Sequence, residues 1–198
     1  NLRFNFISMT MFHVVYFACL MMEWEEVCRK NHEALVRSGI LEDESCKAVY
    51  VVFTGPEEHV ETLKQIFRHD KVVFEYMGPD VKTHEYYGIK KIKDLSRQYP
   101  RDKLCYFHSK GVTRRILSED WVRYMEYFIL DKYDDCLKRL DYHDVVGTEY
   151  LARPRHHISG NFWWATSKHV SGLVVPSKQE LTDHSIYLKN NLKKNFFS

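Results

Sequence analysis

The sequence predicts an α/β domain, a three-layer sandwich whose mostly parallel sheet of about six strands is flanked by helices. Short continuous apolar runs recur along the chain, as strands buried on both faces require. Segments with helical spacing of apolar residues separate those runs and supply the crossovers that parallel strands need. The 198 residues suffice for one domain with a sizeable core.

The first strand is His13 to Leu20, an unbroken apolar run. A helix follows from about Glu23 to Ser38, with Trp24, Val27, Cys28 and Leu35 on one face, acids in its first turn and Gly39 as its stop. Ala48 to Phe53 reads as the second strand. Pro56 suits the start of a helix whose stripe is Val60, Leu63 and Phe67, and Val72 to Tyr76 is the third strand. Ile89, Ile92 and Leu95 mark a helix that stops before Pro100, and Leu104 to Phe107 is the fourth strand. The longest helix is expected over about 119–140, capped by Ser118, with Trp121, Met125, Phe128, Cys136 and Leu140 as its core stripe. Val145-Val146 and Phe162 to Ala165 complete the sheet. The pattern weakens after Pro176, so 1–198 reads as one domain with 177–198 as an arm or a linker to further domains, carrying a short helix around Ile186 to Leu192.

Charge excludes some functions. The 29 Lys and Arg against 27 Asp and Glu leave a net charge of +2, too little to select nucleic acid or an anionic membrane. The one membrane candidate, Phe4 to Met22, contains Asn5, Ser8, Thr10 and His13 and reads better as a buried strand than as a span. Five dispersed cysteines without a CxxC pair read as free thiols of a reducing compartment, so a cytoplasmic location is expected. Neither GxGxxG nor GxxxxGK[ST] occurs, which removes most support for a dehydrogenase or a P-loop NTPase.

Ligands of open parallel sheets bind beyond the carboxyl ends of the strands, where loops converge. There the sequence places Thr54-Gly55-Pro56, Gly78-Pro79-Asp80 and His108-Ser109-Lys110-Gly111. The last group suits a diphosphate. Lys110 neutralises charge, Ser109 donates a hydrogen bond, Gly111 admits the backbone, and His108 ligates a metal or moves a proton. The same segment also reads as a solvated turn. A second group runs from Arg153 to Ala165, with His157, Ser159, Gly160 and Asn161 ahead of Trp163-Trp164. One Trp of an alternating pair faces the core and the other is expected to line a cleft. Asp80 reads as a metal or ribose ligand or as a helix cap, and Glu85 reads better as a first-turn acid than as a ligand. Asp144 and Glu149 bracket the fifth strand, and position favours Glu149 as an acid or base.

Taken in order, Glu85-Tyr86, Tyr106 to Val112, Trp121 with Met125 to Phe128, Asp144 to Gly147 and His157 to Ala165 resemble a group of viral and bacterial glycosyltransferases, including chlorella virus enzymes that build capsid glycans. The resemblance covers about residues 13 to 173. It implies a GT-A-like fold, a UDP-sugar donor, a glycan or glycoprotein acceptor, manganese or magnesium as cofactor, and, for a viral protein, the cytoplasm of an infected cell. Thr54, Asp80, His108, Ser109, Lys110 and Gly111 are expected at the donor; the metal would take Asp80 and His108, with His157 as a further ligand or Lys110 in the metal's place as alternatives. Ser159, Gly160, Asn161 and Trp163 are expected at the sugar or acceptor, and Lys110, His157 and Glu149 in catalysis. The Asp-x-Asp pair usual in such enzymes is replaced here by His108-Ser109-Lys110. A binding module without turnover and a metal-dependent hydrolase are the alternative readings.

Overall fold

The computed structural model describes residues 10–112, 115–153 and 157–179. Strand β1 (Phe12–Cys19) leads to helix α1 (Trp24–Ser38), β2 (Cys46–Thr54), α2 (Val60–Ile66), β3 (Val72–Tyr76), α3 (Tyr86–Gln98) and β4 (Lys103–His108). Helix α4 (Arg115–Glu126) runs into a π turn at Tyr127–Asp131 and then α5 (Tyr133–Arg139). Strands β5 (Val145–Gly147), β6 (Tyr150–Leu151), β7 (His157–Ile158) and β8 (Trp163–Thr166) precede α6 (Ser167–Gly172).

Six strands form one sheet in the order β3-β2-β1-β4-β8-β5. β1 lies parallel to β2 and β4, and β2 parallel to β3. β8 is antiparallel to both β4 and β5. The sheet is therefore mixed and mostly parallel, and the amino end of β8 lies beside the carboxyl end of β4. The central position of β1 explains its composition, because a strand flanked on both edges and covered on both faces has no solvated side for polar residues.

Pleating sends neighbouring residues into two cores. Tyr16, Phe107 and Trp164 pack with Cys28, Leu35, Met125 and Ile129 under α1, α2 and α4. Phe17, Tyr106 and Trp163 pack with Ile89, Ile92 and Val170 under α3 and α6. Gly88 lets α3 lie close to the sheet, since a Cβ there would come within 2.8 Å of Phe17 Cβ. Gly39 ends α1 at φ 79°, and its N–H reaches the Val36 carbonyl.

The helix expected over 119–140 differs in form. It begins at Arg115, so Ser118 lies inside it and not at its start. At the π turn, where Lys132 N–H reaches the Tyr127 carbonyl at 3.0 Å, the chain gains a residue per turn. Ile129 and Leu130 face the core in consequence, and Phe128 is left 42% exposed. The carbonyls so released are satisfied from outside the helix. Trp164 Nε1 donates to the Ile129 carbonyl at 2.7 Å, and the Cys136 thiol donates to that of Phe128 at 3.2 Å.

All five cysteines are free thiols. Burial pushes the thiols of Cys28, Cys46 and Cys136 up to about 12, so they pack as small apolar groups. Among the described residues no helix is long and apolar enough to cross a membrane. Most of the arm beyond Pro176, including the expected helix around Ile186, falls outside the described residues.

Candidate functional site

The carboxyl end of β4 and the turn before β8 meet on one carboxylate. Glu85 Oε2 accepts from the Tyr106 hydroxyl at 2.8 Å and from Asn161 Nδ2 at 2.6 Å. Its other oxygen lies 3.6 Å from His108 Nε2. Asn161 is held at its other end too, because Trp163 Nε1 donates to its Oδ1 at 2.8 Å. Local backbone geometry enforces the meeting. Gly160 at φ 79° and Asn161 at φ 57° are consecutive left-handed residues, a conformation that Gly and Asn tolerate best. His84, just before Glu85, sits at φ 47° and ψ −139°, a strained setting for a residue with a Cβ. Glu85 is at the N-cap position of α3, yet its side chain caps nothing and turns to the strand ends instead.

His108 is largely enclosed, with its ring edge-on to Phe162 at 5.4 Å. Its Nε2 lies 3.2 Å from the Gly160 carbonyl. Both neighbours of Nε2 are acceptors, so the assigned tautomer carries its proton there and leaves Nδ1 as the basic nitrogen. Burial lowers the imidazole below the ordinary 6.5, aided by the Lys110 ammonium and opposed by Glu85 and the Gly160 carbonyl. At neutral pH the ring is uncharged and able to accept a proton, with a carboxylate beside it to stabilise the imidazolium.

Several expected donor ligands are occupied by structural work. Thr54 is fully enclosed, with its hydroxyl beside the Cys19 thiol. Ser109 is 4% exposed, and its hydroxyl accepts from the Cys19 N–H at 3.0 Å, tying the end of β4 to that of β1. Gly111 takes φ 95°, as a turn glycine would. Lys110 lines a groove of about 140 Å³ between α1 and α4, together with Lys30, Asn31, Arg123 and Glu126. Asn31 and Glu126 are buried at its floor, where Asn31 Nδ2 donates to Glu126 at 2.8 Å and Asn31 accepts from Tyr16. Burial raises the Glu126 carboxyl, against the opposing pull of Asn31, Arg37 and Arg123.

Asp80 caps the short turn Val81–Thr83 by accepting from the Lys82 N–H, and pairs with Lys178 at 3.0 Å. Both contacts hold its carboxyl below the ordinary range. Asp80 thus has cationic company, while His108 presents Nε2 to Gly160 and Glu85. Among the described residues no group of three or more His, Cys, Asp or Glu side chains could hold a metal ion.

Ser159 donates its N–H to the Glu149 carbonyl, and Glu149 itself is exposed in the turn between β5 and β6. His157 lies half-buried on β7, paired with Leu151 in a two-stranded ribbon that the sequence pattern had not indicated. Trp163 is not a cleft residue. It is 4% exposed in the α3-side core, and both tryptophans are structural, one gripping Asn161 and the other the π turn. Asn161, expected to reach a sugar, spends its amide on Glu85 and Trp163. Glu85 and Tyr106 are the residues that sequence reasoning undervalued. A tyrosine in a buried strand needs a partner for its hydroxyl, and that need was the available signal.

No curated protein matches the chain. Among solved structures it is similar to 4-diphosphocytidyl-2C-methyl-D-erythritol synthase from Anaerococcus prevotii, with 8% identity over 95% of this chain and 86% of that one and a TM-score of 0.46. A cytidylyltransferase from Leptospira borgpetersenii is similar at 13% identity over 95% of this chain and 75% of that one, TM-score 0.46. Mouse xyloside xylosyltransferase 1 is similar at 10% identity over 96% of this chain and 77% of that one, TM-score 0.36. A family model described as Domain of unknown function (DUF8361) matches residues 27–198, a span that holds Glu85, Tyr106, His108, Asn161 and Trp163, and the chain belongs to that family.

Proposed function

We propose that this chain is a glycosyltransferase that moves a hexose or deoxyhexose from a UDP-sugar to a glycan or glycoprotein acceptor. One observation carries the reading. The two segments on which the glycosyltransferase resemblance rests most, His108 to Gly111 and His157 to Ala165, converge on Glu85 at the end of the sheet where ligands of open α/β folds bind.

In that reading the acceptor oxygen attacks the anomeric carbon, the bond from that carbon to the diphosphate oxygen breaks, and the acceptor proton passes to His108 Nδ1. Glu85 acts as a positioning residue that stabilises the charged ring. Lys110, beside His108, offsets charge on the departing diphosphate. The resemblance also implies a divalent metal, which would supply further charge at the diphosphate. Asp80 and His108 would be the residues to hold it.

Thermal shift with nucleotides tests the reading. UDP is expected to raise Tm more than GDP or CMP, because a ligand selective for the native state stabilises it. Lys110→Ala should reduce the UDP shift and turnover while leaving the Tm of the free protein unchanged. Equal shifts for the three nucleotides would reject a UDP-sugar enzyme.

A further inference from the structure

Four aromatic rings stand in one file along α4 and the π turn. Trp121 and Tyr124 stack with centroids 5.3 Å apart and planes at 14°. Phe128 packs edge-on against Tyr124 at 4.9 Å and against Tyr127 at 5.0 Å. Lys132 lies over the Tyr127 ring at 5.5 Å. Tyr124, Tyr127 and Phe128 are 45%, 46% and 42% exposed.

Tyr127 and Phe128 lie within the π turn, with Ile129 and Leu130 of the same turn in the core. That turn is fixed from below by Trp164 on the Ile129 carbonyl and by Cys136 on that of Phe128. Turns of this kind recur at functional sites because they re-aim side chains.

The file also connects to the site already described. A Cβ on Gly160 would lie 3.0 Å from Trp121 Nε1, so the first ring abuts the turn that delivers Asn161 to Glu85. The ridge therefore begins at the strand-end cluster and leads away from it along the helix.

We infer that this ridge is the binding platform for the acceptor, an oligosaccharide whose successive sugars lay their C–H faces on the exposed rings of Tyr124 and Phe128. This rests on the glycosyltransferase reading above. Exposed rings beside the hydroxyls of Tyr124 and Tyr127 match a ligand that is apolar on its faces and hydroxylated at its rim.

The experiment uses the whole chain with Tyr124→Ala, Phe128→Ala and the double variant. UDP-sugar hydrolysis, UDP thermal shift and transfer to acceptors of increasing length are measured. The expected result is a KM for long acceptors raised about tenfold or more in the double variant, the loss of one or two ring contacts. The KM for a monosaccharide acceptor, donor hydrolysis and the UDP shift should stay unchanged. Phe128→Tyr should restore the long-acceptor KM. Unchanged KM for every acceptor length would overturn the ridge proposal and leave the glycosyltransferase reading standing. Absence of UDP binding in the parent protein would overturn that reading, and the acceptor assignment with it. A parent dimer that the double variant converts to monomer would identify the ridge as a self-association face and overturn the proposal as well.

Discussion

Asn161 donates its side-chain amide to Glu85 at 2.6 Å across 76 residues of sequence. Because Trp163 holds the other end of the same amide, the carboxylate is positioned by a chain of donors that starts in the α3-side core. Tyr106 adds a second donor from the sheet itself. A carboxylate gripped this way cannot rotate freely, and it presents its remaining oxygen to His108.

Replacing Glu85 by Gln should separate catalysis from folding. The glutamine keeps the size of the side chain but offers an N–H₂ group and removes the charge that stabilises the His108 imidazolium. Turnover is expected to fall by about 10² or more, the scale of acid–base assistance. Loss of one charge-assisted hydrogen bond should cost stability only about 1–3 kcal/mol. Turnover within a few-fold of the parent would remove Glu85 from the reaction.

Stability should respond to pH in two opposed ways. Burial lowers His108, and also His13 despite its 3.0 Å contact with Asp102. The unfolded chain then binds more protons than the native one below 6.5, so stability falls as pH drops through that value toward the folded pKa values. Glu126 is raised above its ordinary 4.5, so its contribution falls as pH rises from 4.5 to its folded pKa. Glu126→Gln keeps an acceptor for Asn31 and removes that penalty. It is expected to raise Tm at pH 8 and leave it unchanged at pH 4, and a lowered Tm at pH 8 would show that Arg37 and Arg123 outweigh burial.

Gly160 should tolerate no side chain. Its φ of 79° disfavours any L residue, and an added Cβ would overlap the Met125 sulfur. Gly160→Ala is expected to cost about 1–3 kcal/mol and to reduce turnover through Asn161. Adding Met125→Ala should recover turnover in part, because it removes the overlap while leaving the backbone strain. No recovery in the double variant would place the whole effect in the backbone.

Much of this was legible in the residues alone. The strands at 72–76 and 104–107, the Gly39 stop and the α3 stripe follow from local periodicity, which depends on neighbours three or four positions away. The break in the long helix was not legible, because Phe128 and Ile129 both suit a helix face. The deciding groups, Trp164 Nε1 and the Cys136 thiol, come from other elements. The enclosure of Ser109 and Thr54, both expected at the donor, was hidden for a related reason. Their hydroxyls look available in sequence, but closure of β1 against β2 and β4 encloses them.

The sequence by itself determined the α/β class, the central buried strand and the segments that would gather at one end of the sheet, since apolar period and turn residues act over short distances. Only the tertiary structure decided which polar groups met. Glu85 reads as an ordinary first-turn acid until β8, running antiparallel beside β4, brings Asn161 against it. A side chain's chemistry depends on what lies within about 4 Å, and for Glu85 those atoms come from Tyr106, His108 and Asn161, all distant along the chain.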